Sequence, residues 1–176
     1  MKKIIKKYLP EFVYGSVDGV VTTVAIVTAA VGAGLSSSVI FILGLANVLA
    51  DAWSMGSSEY LSSISEAQMN FADNEHAEDE DGKTPLTKGW VTFVSFVAIG
   101  LLPVTPFFFS IVFPAFTNYD VYTSLAAALA AFILIGYIGA RVTGASRFKN
   151  ILRTVVVGSI AGLISFFVGY LLRNFE

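Results

Sequence analysis

Residues 49–61 read LADAWSMGSSEYL. The segment lies in one of the most apolar regions of the chain, yet it holds Asp51, Met55 and Glu59. These three are four residues apart, so on a helix they form one stripe, which Asn47 extends by a further turn. The reading that accommodates both facts is a membrane helix that carries a polar stripe. The rest of the chain decides what that stripe is for.

The chain has 176 residues, of which 55% are hydrophobic and only 14% charged, with a mean hydropathy of +0.72. Soluble domains carry about 25% charged residues. The charges also cluster, at the N-terminus, in residues 66–88 and in residues 141–153, leaving long runs almost free of them. That is the pattern of an all-α integral membrane protein. There is no Cys, which excludes disulfides and thiolate metal sites. There is no Ser/His/Asp or Cys/His constellation, because the single histidine, His76, sits in a polar link, so the chain does not read as an enzyme. The opening MKKIIKKYLPEF is basic but is interrupted by Pro10 and Glu11, and it reads as a cytoplasmic flank rather than a cleaved signal.

A span needs about 20 apolar residues. Segments of that length fall at about 12–34, 38–61, 90–113, 121–142 and 152–172, giving one five-helix unit over residues 1–176. The second helix is expected to run on to about residue 68. Of the 11 Lys and Arg, all but Arg173 lie on the same side of these spans. The positive-inside rule then places the N-terminus in the cytoplasm and the C-terminus outside. Pro103 and Pro106 predict a kink or break in the third span, since each removes a backbone donor and clashes with the preceding turn. The pairs Gly15/Gly19 and Gly158/Gly162 suit close helix contacts.

A carboxylate near the bilayer centre costs roughly 2.5–3.5 kcal/mol on insertion scales, so it needs a partner. Asp18 and Asp51 lie inside spans, and Glu59 lies nearer the cytoplasmic end, while no Lys or Arg occupies the apolar part of any span. A cation from solution, a proton or a metal, is the natural counter-ion. Spans 1 and 2 form an antiparallel hairpin that turns at residues 34–38, so Asp18 and Met55 fall at nearly the same depth, with Asp51 one turn further out. Carboxylate and amide oxygens with a thioether suit a divalent transition metal better than Mg²⁺ or Ca²⁺. Each residue also has a plainer reading. Met55 can be core filler, Asp18 a helix N-cap with the helix starting at Gly19, and Glu59 a solvated interfacial acid.

The segments YGSVDGVVTTVAIV, GLANVLADAWSMGSSEYLS, GLLPVTPFF and GARVTGASRFKNILRTVVVGSIAG occur in order over nearly the whole chain. In these the chain resembles the vacuolar iron transporter family of divalent-metal/proton antiporters. The resemblance implies a five-helix fold, a homodimer, and export of Fe²⁺ from the cytosol in exchange for protons, with Mn²⁺ as an alternative cargo. It also implies metal-path roles for Asp18 and Met55, and it aligns Glu59 and Tyr60 with the tyrosine-bearing end of the family's second span. No permanently bound cofactor and no nucleic acid is expected; the partners are metal ion, protons, lipid and a second copy.

The chain departs from the plant-type pattern in two places. Where those members carry an acid two turns before the methionine, this chain has Asn47, and the acid stands at Asp51 instead. In place of their long cytoplasmic metal-binding domain it has a short acidic link, within residues 66–89. That link reads first as a solvated linker and second as a weak cation funnel, with Glu66, Met69, Asp73, Glu75 and His76 as its collecting side chains. The alternatives to a transporter of iron are a broader divalent exporter, a membrane subunit that binds iron without moving it, and a proton channel. The basic N-terminus fits a prokaryotic plasma membrane, or a vacuole-type membrane in a eukaryote.

Overall fold

The computed structural model describes residues 7–72 and 83–173. Among these residues the chain is helical, without strands. The helices are α1 (Leu9–Ala33), α2 (Ser37–Ala72), α3 (Pro85–Gly100), α4 (Thr105–Val112), α5 (Asp120–Thr143) and α6 (Arg147–Leu172), with a 3₁₀ turn at Pro114–Phe116. Helices α1, α2, α5 and α6 are each long and apolar enough to cross a bilayer, and α3 with α4 makes a fifth such span broken by a 48° bend. Many of these helices are rich in β-branched residues with only average helix propensity. In lipid that preference is overridden, because every backbone group must bond within its own segment.

The hairpin of α1 and α2 forms as the sequence predicts. Gly34 ends α1 in the left-handed region at φ 78°, and the N–H of Leu35 bonds back to the carbonyl of Ala30 at 3.0 Å. This closure suits glycine, because a Cβ would strain it. Helix α2 then runs for 36 residues. At about 1.5 Å per residue it is longer than a bilayer's hydrocarbon core and projects beyond it at the end that carries the link.

The broken span also follows the sequence. Pro103 and Pro106 flank the interruption between Gly100 and Thr105. The carbonyl of Pro103, stranded by the break, accepts the Ser124 hydroxyl of α5 at 2.6 Å. Two boundaries differ from expectation. Helix α3 begins at Pro85 rather than near 90, capped by reciprocal Thr84–Thr87 bonds. Helix α6 begins at Arg147 rather than near 152, because a polar first turn can extend a helix past its apolar stretch into the headgroups.

Helix α1 is the centre of the bundle and packs against α6, α3, α2 and α5. Its core faces hold Val20 and Val24 against Phe132 and Ile135, and Val27 against Ile40, Val104 and Phe107. The small-residue pairs act as expected. A Cβ on Gly19 would come within 2.6 Å of the Phe96 carbonyl, and one on Gly162 would touch Val24 at 3.1 Å. Helix α2 leans on α3 through Gly56 and Gly89, where a Cβ on Gly89 would sit 2.6 Å from the Gly56 carbonyl. That contact fixes which side of α2 is free.

Candidate functional site

The row Ile40, Gly44, Val48, Ala52 and Gly56 is the buried edge of α2. Asn47, Asp51 and Met55 are each one residue away from that edge, Glu59 lies three residues past its last member Gly56, and all four are half-buried. Asp18 is also half-buried. It lies in the interior of α1, nine residues past Leu9 by sequence number, so the N-cap alternative is corrected: the helix starts at Leu9.

Asp51 is near enough for its charge to act on Asp18. In the sequence no Lys or Arg occurs between Lys7 and Lys83, and among the described residues the charge that acts on Asp18 is that of Asp51. Asp51 is held by Asn47, whose Nδ2 donates to Asp51 Oδ2 at 2.6 Å. The residue that replaces the expected acid therefore orients the acid that is present. Met55 packs beside Val48, Ala52 and Phe96, so it belongs to the core edge as well as to the stripe.

Glu59 is placed differently. Its electrostatic neighbours are Glu11, Lys88, Glu66 and Lys83, a mixed ionic group at the link end. Glu66 and Met69 are exposed on the same helix, Met69 at 60%. Asp73, Glu75 and His76 lie outside the described residues. Among the described residues no three or more His, Asp or Glu side chains gather closely enough to hold an ion. The chain thus brings together two acids with an amide and a thioether alongside, and a second ionic group at the link end.

Two features escape sequence reasoning. Lys83 Nζ pairs with Glu11 Oε1 at 2.9 Å, with the side chains only 7% and 6% exposed, and it also sits over the Tyr8 ring. At the opposite end, Asp120 is 5% exposed and accepts hydroxyls from Ser37 and Ser110. A sequence signal for Asp120 did exist: it is the one charged residue between Lys88 and Arg141. No comparable signal marks the Glu11–Lys83 pair.

Helices of spanning length with Asp18 and Asp51 along them define an integral membrane protein with acidic side chains in its spanning helices. The model of the VIT family matches residues 9–81 and 70–170, and the chain belongs to that family. The match comes in two pieces that meet in the link.

The vacuolar iron transporter of Plasmodium falciparum (isolate 3D7) is 24% identical over 228 residues, covering 96% of this chain and 84% of that protein. That of Toxoplasma gondii is 26% identical, covering 94% and 74%. Vacuolar iron transporter 1 of Tulipa gesneriana is 25% identical, covering 89% and 83%. An alignment of 228 residues is longer than this chain of 176, so the Plasmodium protein carries residues that this chain lacks.

Proposed function

We propose that the protein exports divalent iron from the cytosol in exchange for protons. The observation that carries this reading is the placing of Asp18 and Asp51, half-buried acids in spanning helices, with Asp51 near enough for its charge to act on Asp18. Such a pair is unfavourable when empty and favourable around a cation. Family membership and relatives that are named vacuolar iron transporters support iron as the cargo. Met55 beside the pair favours a transition metal over Mg²⁺ or Ca²⁺. A proton and a metal compete for the same carboxylate oxygens, so protons entering from the far side loosen the metal there.

In this account the link end of the bundle is cytoplasmic, in keeping with its excess of Lys and Arg. The metal passes Glu59, then Asp18 with Met55, then Asp51 held by Asn47. Two acids make too few ligands for a divalent ion, and a homodimer would supply the rest from a second copy. The free face of α2 supports this: Ala46, Ala50, Ser54, Ser58 and Ser62 form an exposed small-residue stripe beside the acids, which lets two backbones approach closely.

The test is Fe²⁺ uptake into proteoliposomes, with Mn²⁺ run in parallel, comparing wild type with Asp18→Asn, Asp51→Asn and Met55→Ala. Uptake by wild type and its loss in both aspartate variants support the reading. Binding without uptake in wild type would replace it with a membrane iron-binding subunit.

A further inference from the structure

The turn between α5 and α6 gathers cations that no acid answers. Residues 141–153 hold Arg141, Arg147, Lys149 and Arg153, all four exposed. No Asp or Glu occurs between Asp120 and Glu176. Among the described residues none of the four forms an ion pair with a carboxylate. The turn lies at the link end of the bundle, because α6 runs parallel to α1: Gly162 packs on Val24, Gly169 on Ala29, and Arg173 lies against Gly34. The start of α6 is therefore level with the start of α1, where Glu11 pairs with Lys83.

The orientation rule accounts for cations at this end, but not for how they are arranged. Three features of the arrangement disfavour the cations by themselves and favour an anion among them. Arg147 and Lys149 stand in the first turn of α6, where the helix dipole opposes positive charge, and Ser146 gives that turn no side-chain cap. Lys149 and Arg153 are four residues apart, a like-charge pair on one helix face. Arg141 and Arg147 converge on Tyr137: Nη1 of Arg141 donates to its hydroxyl at 3.4 Å, and the Arg147 guanidinium lies over its ring, 5.5 Å from the centroid. A guanidinium fork matches a pair of phosphate oxygens, and Tyr137 keeps two such forks side by side.

The residues beyond the cations indicate which anion suits them. The face of α6 that carries Lys149 and Arg153 continues through Val156, Ile160, Leu163 and Phe167, at spacings of three or four residues. All four are exposed, and Phe148, 74% exposed, stands among the cations. An acyl chain fits along such a track beneath its own headgroup, whereas a soluble anion has no use for it.

We propose that the α5–α6 turn binds the headgroup phosphate of an anionic phospholipid in the leaflet at the link end. Arg141 and Arg147 grip the phosphate beside Tyr137, and Lys149 and Arg153 hold the lipid against α6. The lipid then bridges α5 and α6 and stabilises the folded bundle, since a ligand that binds only the folded form raises the melting temperature.

The test is thermal unfolding of the purified full chain in neutral detergent micelles, titrated with phosphatidylglycerol, with phosphatidylcholine or with inorganic phosphate. At matched mole fraction phosphatidylglycerol should raise the melting temperature more than phosphatidylcholine, and inorganic phosphate should leave it unchanged. In Arg141→Gln with Arg147→Gln, the phosphatidylglycerol needed for half the rise should increase at least about fivefold. Lys149→Gln with Arg153→Gln should shift it in the same direction, and it serves alone if the arginine variant does not fold. Lys2→Gln with Lys3→Gln removes as many cations from the chain and should titrate like wild type.

Equal rises with the two lipids overturn the proposal, as do variant titrations that match wild type. A Lys2/Lys3 control that loses as much as the arginine variant overturns it too, because general attraction then explains the effect. A rise with inorganic phosphate alone assigns the site to a soluble anion and not to lipid. None of these readouts involves metal or proton movement, so the outcome is independent of the transport reading.

Discussion

The buried pair of Glu11 and Lys83 gives a sharp prediction about stability. Both side chains are under a tenth exposed and their charged atoms lie 2.9 Å apart. Breaking such a pair from one side leaves an uncompensated buried charge, at a cost of about 3–5 kcal/mol. The surroundings make the two sides unequal. Lys83→Met leaves Glu11, Glu59 and Glu66 near one another with Lys88 as the neighbouring cation. Glu11→Leu leaves Lys83 within reach of Glu59. Lys83→Met should therefore lie at the upper end of the range and Glu11→Leu at the lower end.

The double variant replaces the pair by apolar groups of similar size and should fall within about 1 kcal/mol of wild type or above it. The coupling between the two sites would then be at least about 5 kcal/mol, well outside additivity. Equilibrium unfolding of the four proteins in mixed micelles measures this. Single variants within about 0.5 kcal/mol of wild type, the range of exposed pairs, would refute the buried-pair argument.

Three further outcomes are expected. Asp51→Asn removes one of two like charges, so without metal the variant should melt above wild type, while added Fe²⁺ or Mn²⁺ should raise its melting temperature less; thermal unfolding with and without metal checks both. Met55→Leu keeps the packing on Val48, Ala52 and Phe96 and should cost under about 1.5 kcal/mol, but it removes the thioether, so Fe²⁺ uptake should fall more than stability does. Gly89→Ala places a Cβ 2.6 Å from the Gly56 carbonyl and should destabilise by about 1–3 kcal/mol. By contrast, Gly139→Ala meets nothing closer than 3.7 Å and should gain about 0.5–1 kcal/mol from helix propensity, both read by the same unfolding assay.

The elements that local chemistry dictates were legible in the sequence. The turn after Ala33, the break at Pro103 and Pro106 and the stripe from Asn47 to Glu59 each follow from spacing or from a residue that permits one conformation. The contacts that join distant segments were not. Ser37 and Asp120 are 83 residues apart, and Lys83 and Glu11 are 72 apart. Such pairs are set by how helices pack, which periodicity does not encode. The depth argument brought Asp18 near the stripe but did not find that Asp51 interacts with it, or that Asn47 holds Asp51. It set Glu59 nearer the cytoplasmic end than the acids inside the spans, and the charges around Glu59 do belong to the link end.

The most direct test of the account follows both ions in the same vesicles. Purified protein is reconstituted with a metal-sensitive dye and a pH dye sealed inside, and Fe²⁺ is added outside with and without an imposed proton gradient. The account predicts that metal entry and proton exit rise and fall together, that the gradient accelerates both, and that Asp18→Asn abolishes both. Iron uptake that is indifferent to the proton gradient, or uptake that survives Asp18→Asn, would contradict it.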